Sequence, residues 1–517
     1  MNYAFIDIAQ EFQVLSLDKF LKTTGSKVSY IHSTSEVHFY GDFSIFEIFL
    51  KEIKKDNPTL VHKEVTEYLF LDNLKELIKV PWVISTSDLL NYKHIESMSM
   101  RLMDRSSLIP ISGFSRRRIY LLLLNYFQYI IENNNIEGLI VFDTPHSFHS
   151  HIFFELCKYK KLKIIKMEYH FHNDYSLILD RDLCPIVPKE YNQNTSISEL
   201  EKLIPKGLFE SVYENSKYLV SFKEKETKAI VKKGIFSTFL LIFKYLDKCA
   251  KNLIMGVFPF LFKKEMLHFS SLNNISNRLK YRLVLNGKLY KLVRLNIFYN
   301  KIAQKNINIE DKFIFVGLHM QPEKTSQPMG EEYDNQLIMI KILADSAPEG
   351  CKIYVKEHPN QFNVKKVPNR HYRDKFFYES LSEIKNVVFV PLEFDSLSLI
   401  DKSIMVATVT GTSGWEAITR SKAVLVFGNA YYVGCRAVRK ITSVETCKIA
   451  IKELLLLKSD DDFRKEIYKY VLYYYENNFL VKSANWHTLF KLNSLSYLSQ
   501  IDNIVDKLVY FHNKNKI

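Results

Sequence analysis

Apolar and polar positions along this chain follow two periods, and each change of period marks an element. The stretch RRRIYLLLLNYFQYIIENN has helical spacing, Ser115 is placed to cap it, and Gly138 then opens the unbroken apolar run GLIVF. The loop DTPHS, a second helical stretch HSHIFFELCKYKK and the run KIIKMEY follow. Helix, strand, helix, strand in that order predicts a parallel sheet. The alternation returns in KFIFVGL (Lys312 to Leu318), KIYVK (Lys352 to Lys356), NVVFV (Asn386 to Val390), IMVATV (Ile404 to Val409) and AVLVF (Ala423 to Phe427). Short strands separated by helices predict a doubly wound sheet, in which ligands bind beyond the carboxyl ends of the strands. The fold class expected is α/β, with two Rossmann-like domains and parallel sheets.

Between these two patterns the chain turns basic and helix-compatible, with aromatic and leucine runs such as LKYRLVLNGKLYKLVRLNIFYNK. The division expected is residues 1–215 for the first domain, 216–305 for an inserted basic helical region, 306–460 for the second domain and 461–517 for C-terminal helices rich in Tyr and Leu. At 517 residues the chain exceeds what a single hydrophobic core supports, and 47% hydrophobic with 14% aromatic residues excludes disorder as its main state.

The formal charge of +14 is concentrated, because residues 217–300 hold 17 basic and only 4 acidic side chains. Two readings stay open for that region: a solvated basic helix pair packed on the domains, or a face held against an anionic membrane surface, with Lys232, Lys233, Lys263 and Lys264 prominent. Nucleic acid is not expected as a partner, since no base-stacking motif accompanies the charge. No run reaches about 18 apolar residues, no secretory signal is read at the N-terminus, and the six cysteines are scattered without metal or disulfide spacing. The location expected is cytoplasmic, peripheral at the inner face of the plasma membrane if the basic region binds lipid.

The chemistry concentrates in the loops after the apolar runs. After IMVATV comes Thr410-Gly411-Thr412-Ser413-Gly414 and then a helix bearing Glu416, a pattern suited to an anion because backbone N–H groups and hydroxyls converge there. It is neither a P-loop nor a dinucleotide fingerprint. KIYVK brings Lys356 and then Glu357-His358-Pro359-Asn360 to the end of a second strand, where His358 can hold or protonate a leaving phosphate. KFIFVGL leads to His319, Gln321 and Glu323, followed by Glu331, Glu332 and Asp334. Glu323 is favoured for chemistry, Glu331 and Glu332 as helix-start acids. In the first domain Asp143 and His146 follow GLIVF, while Glu168 and His170 end the next run. A metal site from His146, His149, His151, His170 and His172 is not favoured, since acidic companions are sparse.

Three of these segments in order, LHMQPEKTSQPMG, YVKEHPNQF and TVTGTSGWEAITRSKAVLVFG, resemble the capsule polysaccharide biosynthesis family of bacterial glycosyltransferases, over about Lys312 to Val438. The resemblance implies a GT-B arrangement of two facing domains and transfer of an acidic sugar of the Kdo kind from a CMP-linked donor to a glycan or lipid-linked glycan acceptor. CMP-sugar is then a substrate, and neither a resident cofactor nor a metal is expected. It also implies that His358-Pro359 and the 410–414 loop hold the nucleotide phosphate. Glu323 stands where the retaining Kdo transferases place a proposed nucleophile, with Asp334 as its rival. Asp143 or Glu168 would assist the acceptor hydroxyl, with His146, His319 and Gln321 on the acceptor side. Three alternatives stay open: a CDP-polyol phosphotransferase of the teichoic-acid type with His146 as a second catalytic histidine, a GT-B enzyme using a UDP donor, and a non-catalytic adaptor built on the basic region.

Overall fold

The computed structural model describes residues 1–33, 42–64, 71–106, 112–170, 175–179, 275–362, 372–456, 460–477, 480–482 and 494–514, with short helical pieces at 198–199 and between 243 and 254. The first domain runs β1 (Asn2–Ile8), α1 (Glu11–Thr24), β2 (Lys27–Ser33), α2 (Phe43–Asp56), β3 (Val61–Glu64), α3 (Leu71–Ile78), α4 (Thr86–Asn91), α5 (Lys93–Ser106), α6 (Gly113–Asn133), β4 (Gly138–Phe142), α7 (Phe148–Tyr159), β5 (Lys163–His170) and β6 (Tyr175–Leu179). Its sheet has the order β5-β4-β1-β2-β3, all parallel, with β6 antiparallel at the edge of β5. β4 is buried along its whole length, as a central strand covered on both faces must be. The cap of α6 lies three residues before the expected Ser115: Ser112 accepts the Ser115 backbone N–H and donates to its hydroxyl, so Gly113 to Ser115 form the first turn.

The second domain opens with the long helix α8 (Ile275–Ile302) and continues through β7 (Phe313–Gly317), α9 (Gln336–Ser346), β8 (Lys352–Lys356), α10 (Lys375–Ser382), β9 (Val387–Phe389), α11 (Ser396–Lys402), β10 (Met405–Thr408), α12 (Thr412–Ile418), β11 (Ala423–Val426), β12 (Val438–Lys440), α13 (Val444–Leu456) and α14 (Asp460–Asn477). The six strands run parallel in the order β12-β11-β10-β7-β8-β9. The strand β13 (Leu480–Lys482) then joins β6 of the first sheet, and α15 (Ser494–Asn513) packs on α1. Ile504, Leu508 and Phe511 of α15 enter the first domain's core, and the Tyr3 hydroxyl meets His512 Nδ1 at 2.9 Å.

Two of the expected boundaries move. Leu289, Leu292, Leu295 and Tyr299 of α8 lie in the core under the second sheet, so the last third of the basic region belongs structurally to that domain. Its apolar positions find a buried face there, which offsets the charge on its outer side. At the other end, Ile467, Tyr470 and Leu472 of α14 pack on the same domain's opposite face, so it extends past residue 460. Lys232, Lys233, Lys263 and Lys264 lie outside the described residues. Among the described residues no helix is long and apolar enough to cross a membrane.

Candidate active site

In the second sheet the chain order reverses between β7 and β10, and a crevice opens beyond their carboxyl ends. Three loops meet there, and they are tied to one another. Gln321 N–H donates to Gln361 Oε1 at 2.8 Å, and Gln361 Nε2 returns a bond to the Gln321 carbonyl at 3.2 Å. From the third loop the Thr410 hydroxyl donates to the Thr325 carbonyl at 2.5 Å.

His319 organises the crevice from below. Its backbone N–H is held by Gln336, and its Nε2 accepts the Thr410 N–H at 3.2 Å and lies 3.1 Å from Thr408 Oγ1, which also accepts the Gly411 N–H. Burial pushes the imidazole down to about 4, with Arg373 adding to the effect, so the ring is neutral and Nε2 serves as an acceptor. The same bonds explain Gly411, whose missing Cβ would lie 2.7 Å from Thr408 Oγ1 and 3.1 Å from His319 Nε2. At Gly414 a Cβ would run into the Tyr432 hydroxyl, which donates to the Gly411 carbonyl. These glycines are required by side chains packed beneath the loop.

Under the loops lies a buried ion pair that no sequence motif announced. Arg373, 2% exposed, donates from Nε to Glu357 Oε2 at 2.8 Å, and its other nitrogens reach Gln321 Oε1 and the His319 carbonyl. Tyr378 donates to the same Glu357 oxygen, and Glu357 Oε1 accepts the His358 N–H at 2.9 Å. Arg373 thus braces the loop after β7 against the loop after β8. A buried charge must be paired, and this pairing fixes where His358 sits.

His358 is half-buried above that pair. Its Nδ1 accepts the Asn360 N–H at 3.2 Å, so the neutral ring carries its proton on Nε2 as a donor. Pro359 opens the single turn Pro359–Phe362 that makes this bond. Thr412 and Ser413 start α12 with Gly411 as its cap, and Ser413 Oγ sits over the end of β7, 3.6 Å from where a Cβ on Gly317 would be. Thr412, Ser413 and Glu416 are half-exposed. Thr410 differs from the expectation, since its hydroxyl is committed to Thr325. Lys356 is buried and donates to Ser396 Oγ at 2.7 Å, which places its charge below the crevice mouth.

Glu323 is half-buried in the loop facing the first domain, and its carbonyl accepts the Ser326 and Gln327 N–H groups. The rival carboxylate, Asp334, is buried, with one oxygen 2.8 Å from Arg101 of the first domain and the other accepting from Gln327. Burial pushes its carboxyl up while Arg101 opposes. Gln321 and His319, expected on the acceptor side, are both interior supports of the second domain. Their side chains are used up by Arg373, the Asp334 carbonyl and the 408–410 segment.

Across the cleft, Asp143 holds Lys324 of the opposite domain at 2.5 Å and the Thr144 N–H at 2.8 Å. His146 is exposed, and its Nδ1 meets the Thr144 carbonyl at 3.1 Å. Glu168 lies in β5, where it pairs with Leu177 of β6. Of the histidines weighed as a metal set, the His170 side chain lies outside the described residues. His149 packs edge to face on His32, His151 lies in the field of Glu155 and His94, and His172 falls outside the described residues. Among the described residues no three potential ligands form a metal cluster. The chemistry-bearing residues missed in the sequence are Glu357, Gln361 and Arg373 on one side of the cleft and Asp7, His32 and Ser150 on the other. Only Asp7, next to last in the run NYAFIDI, carried any signal, a lone acid near the end of an apolar strand.

Two doubly wound domains facing across a cleft, with convergent polar loops at the second switch point, define a GT-B-type α/β protein. Residues 267–436 match the family described as capsule polysaccharide biosynthesis protein, so the kinship read from the three loop motifs holds for that region. No curated protein matches the chain. Solved structures similar to it include a UDP-GlcNAc 2-epimerase of Methanocaldococcus jannaschii, at 11% identity over 89% of this chain and 94% of that one, with a TM-score of 0.22. The UDP-GlcNAc 2-epimerase of Neisseria meningitidis bound to UDP-GlcNAc matches at 13% identity over 100% of each chain, with a TM-score of 0.23. The beta Kdo 2,7 transferase KpsC of Thermosulfurimonas dismutans matches at 12% identity over 68% of this chain and 85% of that one, with a TM-score of 0.24. Overlap this limited transfers none of those activities to this chain.

Proposed function

We propose that the protein is a glycosyltransferase of bacterial surface polysaccharide synthesis, capsule or O-antigen, which moves an acidic ulosonic or nonulosonic sugar from a CMP-linked donor to a glycan acceptor. The observation that carries this reading is the set of donors beyond the carboxyl ends of the strands flanking β7: His358 after β8, and the hydroxyls and backbone N–H groups of Thr412 and Ser413 after β10. Departure of CMP builds negative charge on its phosphate, and donors held rigidly where that charge appears lower the barrier without reorganising. The brace of Arg373, Glu357 and His319 supplies the rigidity. Glu323, on the loop between phosphate site and cleft, is the group placed to attack or shield the anomeric carbon. The donor is a substrate, and this scheme requires no resident cofactor and draws on no metal.

The test is thermal stabilisation by CMP, CDP and UDP of the protein and of His358→Ala, since a ligand that binds only the folded state raises its Tm. A rise with CMP alone, lost in the variant, is expected. A preference for CDP points to a polyol phosphotransferase, for which the exposed His146 supplies a second histidine, and a preference for UDP to a hexose enzyme. No rise with any nucleotide overturns the reading in favour of an adaptor.

A further inference from the structure

The first sheet has its own switch point, between β1 and β4, and an aspartate stands near the carboxyl end of each, Asp7 one residue before the end of β1 and Asp143 just after β4, both with a backbone that side chains rarely adopt. Asp7 has φ 60° and Asp143 has φ 148°. Ile6 pairs with Val141, so Asp7 and Asp143 lie at neighbouring places just past that pair. Each such residue costs about 1–3 kcal/mol and persists only where the surroundings over-determine it. Two at adjacent strand ends, facing the other domain's nucleotide loops, mark a place built for something other than packing.

The two carboxylates are not equivalent. Asp143 is occupied by Lys324 and the Thr144 N–H. Asp7 accepts one hydrogen bond on Oδ1, from the Ser150 hydroxyl at 2.5 Å, and its Oδ2 accepts none from the described residues. About a quarter of its side chain is open, 26%. His32 Nδ1 lies 3.9 Å from the same Oδ1, but burial pushes that imidazole down to about 3, so it brings no positive charge. His149, also kept neutral by burial, meets the Ser150 hydroxyl at 3.1 Å, and Ser147 donates to that hydroxyl at 2.8 Å. The result is a carboxylate fixed from behind by a serine and histidine shell, with Oδ2 taking no hydrogen bond from the described residues and part of the side chain open.

We infer that Asp7 is the general base for the acceptor, receiving the proton of the attacking hydroxyl of a sugar bound over the carboxyl ends of β1 and β4, with Ser150 as its positioning residue. The inference rests on the glycosyl-transfer reading above. In the step, the hydroxyl proton passes to Asp7 Oδ2 and an oxygen lone pair forms the bond to the anomeric carbon. The electrons of the bond broken at that carbon leave with the departing oxygen, that of the nucleotide phosphate in direct displacement. Burial and the neighbouring Asp143 push the Asp7 carboxyl up, while Ser150 and His146 pull it down, which leaves a better proton acceptor than an ordinary aspartate. The other charged groups around it are Lys324 through Asp143, and Lys166 on β5, which donates to Thr144 Oγ1.

The experiment is steady-state release of nucleotide from CMP-Kdo, CDP-glycerol and UDP-GlcNAc above the uncatalysed rate, with water as acceptor, across pH. Asp7→Asn, which suits a left-handed backbone, is expected to slow release about 10²–10⁴-fold while the nucleotide-induced rise in Tm is unchanged. Ser150→Ala removes a bond to the charged form, so the acid limb of the pH profile should move up by about one unit. A purely structural role leaves that limb in place. Wild-type release by Asp7→Asn, or a limb in Ser150→Ala that overlays the wild type, overturns the inference and leaves the CMP reading standing. Turnover of CDP-glycerol or UDP-GlcNAc alone, still slowed in Asp7→Asn, overturns the CMP reading and supports the base. Turnover of none removes both.

Discussion

Arg373 and Glu357 carry more of the second domain's precision than the motif residues they support. Both are almost fully buried, and each hydrogen-bonds a loop that faces the cleft. Arg373→Leu leaves Glu357 charged and unpaired, at a cost of about 3–5 kcal/mol, and denaturant unfolding should show it as a lower midpoint. Arg373→Lys should rescue little, because one ammonium cannot span Glu357, Gln321 and the His319 carbonyl as the planar fork does. Rescue to wild-type stability by lysine would mean that charge alone matters there. The motif EHPN was legible as chemistry because histidine and proline follow a strand. Its glutamate reads as a surface acid until Arg373, sixteen positions on, is folded against it.

The turn between β10 and α12 shows how an element can be predicted correctly for an incomplete reason. The strand and the helix after it are those the pattern expected, but the helix begins at Thr412, inside the expected loop 410–414. The structure adds a steric demand from inside, since Tyr432 and the pair of Thr408 and His319 occupy the space a Cβ needs. Gly414→Ala should therefore destabilise the protein even without ligand, by about 1–3 kcal/mol, seen as a lower Tm of the nucleotide-free protein. Removing the hydroxyl in Gly414→Ala with Tyr432→Phe should recover part of that loss. An unchanged Tm in the single variant would return the glycine to a purely ligand-facing role.

Across the whole molecule, the cleft is spanned by cations that reach over it. Arg101 and Arg105 of α5 bond Asp334, Glu332 and the Gln327 carbonyl, and Lys324 answers from the other side to Asp143. These contacts set the distance between the acceptor floor at Asp7 and the phosphate loops. Replacing Arg101 and Arg105 with alanine should loosen the domains, with a larger radius of gyration in X-ray scattering and little change in the melting of either domain. A radius equal to the wild type would show that α14, β13 and α15, which return the chain to the first sheet, hold the domains without the clamp.

Periodicity alone determined the α/β class and five of the six parallel strands of the second sheet, β12 excepted, because strand and helix patterns are local. The basic charge was equally plain, yet its placement was not: α8 puts Leu289, Leu292 and Leu295 into the second domain's core and leaves Lys291 and Lys301 exposed. What only the tertiary structure decided is which polar residues face the cleft and which hold it up. His319, Gln321, Thr410 and Asp334 look like site residues in the sequence and prove to be supports. Asp7, His32 and Ser150 lie far apart in the chain, and meet only because β1, β2 and α7 come together at the carboxyl end of the first sheet. Hydrogen bonding between distant segments leaves no spacing to read, so no local pattern could have announced it.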